Sequence, residues 1–384
     1  MYFDFNLKSS ILLIFFSQGI VFTYLLLKKG IENDSSSSKW LSLFVLLCSL
    51  YIAPFMFGYG GWYSKKMYRE ILFFIPFQQL FLIGPVLYYY TQSLLNKSFQ
   101  IHKKDWVHFI PALLYAVYSL IIFITDKIAL DQFYFYADGR DKDLALWYQI
   151  AGLVSMVFYL VLSLKYYNTY KRLAFETVSY AESILFKWLK HFFIAFLIIL
   201  VLRVLFFILN PEWWQFGRKF WYYLCFSFLF YYIALSGYAN TVKAAIPIID
   251  KEANGDAISE KKEKPVIAEL PDLDKWKLRL EGLMEADKLY QNPSLSLSDM
   301  AGLLEIPSKT MSRLVNQGFQ LNFNDFVNGY RVKAVIVALE AGGQSTKTLL
   351  GIALECGFNS KATFNRAFKK HTGLSPKEYV AKLS

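Results

Sequence analysis

Long apolar runs alternate with short polar connections up to about residue 240, and their length predicts helices that cross a bilayer. A charge-poor run of about 20 residues spans the hydrocarbon core as a helix. Such runs lie at residues 9–27, 40–57, 71–95, 106–125, 144–167, 188–209 and 219–239, so about seven spans are expected. The polar connections include Gly30 to Lys39, with its serines, and the acidic stretch Asp126 to Asp143. Trp62, Tyr63, Trp106, Trp147, Trp213, Trp214 and Trp221 stand near the ends of runs, where an amphipathic ring sits at the level of the lipid headgroups. The first run is too long, and too closely followed by others, for a cleaved leader. A buried helical core in water is the competing reading, but helices this long would then carry polar faces.

After Ala239 the pattern breaks. Pro247, Asn254, Gly255, Pro265 and Pro271 punctuate a stretch rich in lysine and glutamate, too polar to bury itself. Helical periodicity resumes at Leu273, with Trp276, Leu280, Leu283 and Met284 on one face. That face either packs on its own domain or meets a second copy, so a homodimer is a possible assembly. No strand alternation of useful length occurs. The expected fold is therefore all-α: a transmembrane helical sensor or anchor domain over 1–243, a flexible charged linker over 244–272, and a helical domain over 273–384.

Composition strengthens the membrane reading. Apolar residues make up 55% of the 384 and the mean hydropathy is +0.31, more than a water-soluble domain of this length tolerates. The net charge of +11 fits nucleic acid, anionic lipid or basic cytoplasmic loops equally well. Cys48, Cys225 and Cys356 are far apart, and His102, His108, His191 and His371 form no ligand-like pair, so no disulfide framework, metal or cofactor is expected. There is also no Ser/His/Asp set, phosphate-cradling loop or pair of intramembrane acids, and an enzyme is not expected. Lysines and arginines give only a slight excess on one set of loops. An N-terminus outside and a C-terminal domain in the cytoplasm follow if the tail acts in the cytoplasm.

Between Leu297 and Val315 the chain reads as two short helices and a tight turn. Met300, Ala301 and Leu304 line the inner face of the first helix, and Met311, Leu314 and Val315 that of the second. Ile306 plugs the turn, and Pro307 stands where a first-turn proline is tolerated. In helix-turn-helix geometry the second helix offers its polar side chains to the major groove, which makes Lys309, Ser312, Arg313 and Asn316 candidates. About fifty residues on, the pattern returns. Leu349, Ile352, Ala353 and Cys356 face inward, Gly357 ends a helix, and Asn359 or Ser360 caps the next. Phe364 and Phe368 form a buried pair, leaving Lys361, Thr363, Asn365, Arg366 and Lys369 outward. No acid occurs between Glu355 and Glu378, while five basic residues do, as a surface lying on phosphates requires. An internal salt bridge is the competing role for Arg366.

Gly357, Phe358, Ser360, Phe364, Arg366, Phe368, Lys369, Gly373, Ser375, Pro376 and Tyr379 resemble the C-terminal signature of the AraC/XylS transcription regulators. Phe326, Tyr330, Arg331 and Val332 resemble the core of that family's joining helix. The resemblance covers about residues 290–380 and says nothing of the membrane part. It implies two recognition helices in successive major grooves of double-stranded DNA, with Lys309, Ser312, Arg313, Lys361, Thr363, Asn365 and Arg366 near bases or phosphates. The chain departs from the family at Glu305, where the first turn often has glycine. Ala334, Val335, Ile336 and Val337 also stand where charged residues are usual, so Ile336 and Val337 either join the core or face a partner chain.

Within the spans Arg203 is the deepest ionisable group, and such groups are paired, cavity-facing or snorkelling. Asn210 is about six residues away, close enough for snorkelling. Gln78, Gln79, Gly84 and Pro85 mark a polar, kinked stretch that either lines a pocket or packs helices. Arg203, Gln78 and Gln79 are thus the candidate sensing residues for an unknown signal ligand. The sequence supports a membrane-embedded, DNA-binding transcription regulator surrounded by lipid; the competing class is a membrane receptor or transporter whose helical tail binds protein.

Overall fold

The computed structural model describes residues 3–96, 98–185, 187–207, 216–240 and 272–383. The expected linker lies almost wholly outside these residues, as does Asn210. Among the described residues every regular element is helical, and the one β-pairing is an isolated antiparallel bridge between Val178 and Ser296. The chain forms two compact units, one of Met1–Tyr167 with Lys187–Ile249, the other of Asn168–Phe186 with Asp250–Ser384.

The first unit is a helical bundle of α1 (Leu7–Glu32), α2 (Ser36–Tyr59), α3 (Lys66–Phe74), α4 (Leu80–Leu95), α5 (Ile110–Phe123), most of α6 (Leu146–Thr177), and, after the short α7 (Ala181–Ile184) of the second unit, α8 (Lys187–Phe207) and α9 (Phe216–Ala239). Among the described residues six helical segments are long and apolar enough to cross a membrane: Leu7–Glu32, Ser36–Tyr59, Lys103–Ala129, Leu146–Thr177, Trp188–Phe207 and Arg218–Ala239. The expected span over 71–95 is instead two helices. Pro76 holds the preceding Ile75 extended (φ −87°, ψ 118°), which stops α3, and α4 restarts at Leu80. At 16 residues, α4 rises about 24 Å, less than the hydrocarbon thickness. On α5 the apolar Leu113, Leu114, Leu120 and Ile121 are exposed, as side chains facing lipid tails are. Inside, Gly84 of α4 lies so close to Tyr159 of α6 that a Cβ would stand 2.7 Å from its ring, so glycine sets the helix approach there.

The second unit contains α10 (Leu273–Glu285), α11 (Leu297–Leu303), α12 (Ser308–Phe319), α13 (Phe323–Glu340), α14 (Leu349–Glu355), α15 (Lys361–Thr372) and α16 (Pro376–Leu383), together with α7 and the last turns of α6. It has two apolar cores, and α13 serves both. Phe323, Phe326 and Val327 join Leu280, Met284, Met300, Leu304, Met311 and Leu314 in the first core. Val332, Val335 and Leu339 join Ile352, Phe358, Phe364 and Phe368 in the second. The face of Trp276, Leu280, Leu283 and Met284 packs on its own domain. Ile336 also joins a core, whereas Val337 is exposed.

Candidate nucleic-acid interface

Each core drives one helix pair. In the first, Ser296 caps α11 by accepting from the Asp299 N–H while the Asp299 carboxylate accepts from the Ser296 N–H, a reciprocal capping box. In the second, Thr348 caps α14 and Ser360 caps α15 through the Thr363 N–H. The turns between the helices are built alike. After α11, the Ile306 N–H reaches the Ala301 carbonyl and the Glu305 N–H reaches that of Gly302; after α14, the Phe358 N–H reaches Ala353 and the Gly357 N–H reaches Leu354. This pair of hydrogen bonds is a Schellman closure, which needs a left-handed residue at its pivot. Gly357 (φ 92°) and Glu305 (φ 56°) are those pivots.

The departure at Glu305 therefore has a backbone meaning beyond charge, since a side chain occupies a glycine conformation. Left-handed backbone costs an L-residue about 1–2 kcal/mol. Glu305→Gly is expected to stabilise the C-terminal unit by about 1 kcal/mol after the added unfolded-state entropy of glycine is subtracted. Chemical denaturation of the two proteins checks this, and an unchanged or lower midpoint would contradict it.

The second helix of each pair presents the polar residues. Met311, Leu314 and Val315 turn inward on α12, leaving Lys309 and Asn316 exposed and Ser312 and Arg313 half-buried. Pro307 is the N-cap of α12, one position before the first turn. On α15, Phe364, Ala367 and Phe368 are buried, with Lys361, Asn365, Arg366 and Lys369 exposed. Thr363 corrects the sequence expectation: it is buried, and its hydroxyl lies 2.8 Å from that of Ser360. The reason is helical spacing, since Thr363 and Ala367 are four apart and share the inward side of α15. Lys369, Lys370 and His371 fill the last turn of α15, a favourable place for cations at a helix C-terminus. Partial burial lowers the His371 pKa below its usual value, so the cationic face rests on the lysines and arginines at neutral pH. Arg366 has a partner already: its Nε lies 2.7 Å from Oε1 of Glu182. The salt bridge weighed as its competing role is present.

A further polar set escaped sequence reading. Asn324, Asn328 and Arg331 follow an i, i+4, i+7 spacing on α13 and share one face; all three are buried. Asn324 Nδ2 donates to the Val178 and Ser179 carbonyls at 3.3 and 2.9 Å. The Arg331 guanidinium donates to the Ser179 carbonyl and hydroxyl and to the carbonyls of Tyr290 and Asn292. The spacing is visible in the sequence, but the acceptors at Val178 and Ser179 lie 145 to 152 residues upstream and those at Tyr290 and Asn292 lie 41 and 39 upstream, beyond any local pattern.

In the first unit the candidate sensing residues separate. Gln78 is fully buried; its Nε2 donates to Tyr223 Oη and its Oε1 accepts from Gln149 Nε2 at 2.9 Å. Arg203 is buried, and its guanidinium donates to the carbonyl and side-chain oxygens of Gln149 at 3.0 and 2.7 Å. Gln149 thus joins Gln78 to Arg203, which turns into the bundle rather than snorkelling. Gln79 stands apart and donates to the Pro76 carbonyl in a local turn. The network reaches Asp143, which accepts from the Gln78 N–H and from the Tyr115 hydroxyl. Burial pushes the Asp141 and Asp143 carboxyls up from the usual range. A small cavity beside Arg203 is lined by Tyr51, Met156, Phe196 and Tyr222.

Residues 300–382 match the family model described as a helix-turn-helix domain. Among curated proteins the chain is similar to uncharacterized HTH-type transcriptional regulators of Staphylococcus aureus strains COL and MSSA476. Each is 29% identical over 92 residues, which is 24% of this chain and only 12% of the relative. No solved structure matches. The likeness falls on the two capped helix pairs and the helix joining them, so this chain carries a helix-turn-helix domain of the AraC type at its C-terminus.

Proposed function

We propose that the protein is a membrane-embedded, sequence-specific transcription regulator that couples a signal sensed in the membrane or periplasm to gene expression. The observation that carries the reading is a pair of helices, α12 and α15, each anchored by an apolar inner face and presenting an outward set: Lys309, Ser312, Arg313 and Asn316 on one, Lys361, Asn365, Arg366 and Lys369 on the other. Arginine pairs with guanine edges, and lysine serves phosphates. The six long apolar helices support embedding in lipid. The inclusion of Asn168–Phe186 in the same compact unit as the helix-turn-helix domain supports a shared aqueous side for loop and tail, hence a cytoplasmic tail; an N-terminus outside requires the shorter α4 to cross as a seventh span, since six spans would leave both termini on one side. The Gln78–Gln149–Arg203 network, with the cavity beside it, is the place proposed for signal reception.

The test is selection of genomic DNA fragments by the full chain in lipid nanodiscs, beside an Arg313→Ala, Lys361→Ala variant. The expected result is a site with two half-elements about one helical turn apart, lost in the variant and weakened by added salt. Failure to enrich any fragment at low salt, from folded protein, would remove the reading and favour a protein partner for the tail.

A further inference from the structure

The segment just after α6 is bound by the helix-turn-helix domain as a ligand is. Val178 and Ser179 are at most 6% exposed, although they lie in the connection between α6 and α7, where backbone normally faces water. The Ser179 N–H donates to the Leu295 carbonyl at 3.1 Å, and Val178 bridges Ser296 in the antiparallel sense. The Ser179 carbonyl accepts from Asn324 at 2.9 Å and from Arg331 at 3.3 Å, and its hydroxyl from Arg331 at 3.0 Å. Three residues further on, Glu182 meets Arg366 on the outward face of α15.

The backbone contacts explain how the segment is held; they do not require an acid at 182. Glu182 places a carboxylate on the guanidinium that, on the reading proposed above, meets DNA. Carboxylate and phosphate are both oxygen anions, each offering two oxygens to the same N–H donors of arginine. One guanidinium edge serves one of them at a time. We propose that Val178–Glu182 is a built-in competitor for DNA: its backbone docks on Leu295, Ser296, Asn324 and Arg331, and Glu182 occupies Arg366 until the segment is released. The segment continues directly from α6, whose first turn carries Gln149, the hydrogen-bond partner of Arg203. A change at Arg203 that shifts α6 along or about its axis therefore pulls on Val178 through continuous helix, which gives the proposed signal a mechanical route to Arg366.

The test measures binding of the full chain in nanodiscs to a 30-base-pair duplex of random sequence at low salt, where phosphate contacts dominate. Wild type, Glu182→Gln, Arg366→Ala, the Glu182→Gln, Arg366→Ala double variant, and Glu176→Gln are compared. Glu176→Gln makes the same charge change at a nearby residue that forms no ion pair among the described residues. Glu182→Gln is expected to bind about 3- to 10-fold tighter, with a salt dependence steeper by about one phosphate. Glu176→Gln is expected to match wild type, and the gain is expected to vanish in the double variant. Equal binding by wild type and Glu182→Gln overturns the competitor, as does a gain that persists without Arg366 or that Glu176→Gln reproduces. Absence of binding by every folded variant overturns the DNA-binding reading itself, so the two failures are told apart.

Discussion

Gly357→Ala is expected to abolish the folded helix-turn-helix domain while leaving the N-terminal bundle helical. Two independent terms add at this position. The backbone sits at φ 92°, which costs a residue with a Cβ about 1–2 kcal/mol. The new methyl would also stand 2.2 Å from the Tyr290 carbonyl oxygen and 2.8 Å from the Gln291 Cα. These are main-chain atoms, so no side chain can rotate away, and overpacking of this kind costs about 1–3 kcal/mol. The carbonyl that must move is the acceptor of Arg331 Nε at 2.8 Å, so the strain spreads into the buried polar set. A loss of about 3–5 kcal/mol is comparable to the whole stability of a small domain. Cys356, buried next to the pivot, reports the outcome: in a background with Cys48 and Cys225 replaced by alanine, its thiol should react with a maleimide at the rate of an unfolded peptide. Slow labelling, as in the parent, would show that the turn tolerates a side chain.

The comparison of Gly357 with Glu305 shows what was legible in the sequence and what was not. Both turns announced themselves through apolar residues at helical spacing on either side, and those residues are the buried ones: Met300, Leu304, Met311 and Leu314 in one pair, Ile352, Phe364 and Phe368 in the other. Local periodicity is a strong signal when helices are short and amphipathic. The left-handed pivot at Glu305 was not legible, because the conformation is imposed by the closure around it while the exposed side chain fits without collision. Thr363 was misplaced for a related reason: a threonine after a cap reads as polar, yet its hydroxyl is satisfied by Ser360 and the residue is buried.

Length and hydropathy located the long apolar helices, but not the break at Pro76 within an otherwise continuous apolar run. In the bundle, the polar residues worth naming were visible as exceptions to apolarity, but their grouping was not. Gln78 and Arg203 meet through Gln149, an unremarked residue near the start of α6, while Gln79, adjacent in sequence to Gln78, turns to a local carbonyl. The docked segment lay furthest from reach. Nothing in Val178–Glu182 departs from an ordinary polar connection, and the residues that bind it follow more than a hundred positions later. A pairing of that separation is a property of the folded chain.

Arg331→Met is expected to cost the C-terminal unit about 3–5 kcal/mol, although methionine preserves the apolar stem and the helix propensity. The guanidinium is 1% exposed and is solvated by protein alone. Burial lowers its pKa to about 10, which leaves it cationic at neutral pH. None of its hydrogen-bond partners is a carboxylate; the charge is spread over the carbonyls of Ser179, Tyr290 and Asn292, the Ser179 hydroxyl and the Asn328 side chain. Methionine would remove every donor, leaving the half-buried Tyr290 carbonyl without its partner and the Ser179 and Asn292 carbonyls with only Asn324 and the Leu295 N–H; a buried carbonyl without a partner costs about 1–3 kcal/mol, less where water enters. Arg331→Lys keeps the charge but offers one ammonium where the planar fork reached three chain segments, and should fall between parent and methionine variant. The order Arg, Lys, Met in Cys356 protection against denaturant is the measurement. If lysine and methionine destabilise equally, charge contributes little and the fork geometry carries the effect. If neither shifts the midpoint by as much as about 1 kcal/mol, the turn at Tyr290–Asn292 and the segment at Ser179 are held by packing, and Asn324 with the backbone of Leu295 and Ser296 would remain to bind the loop that brings Glu182 to Arg366.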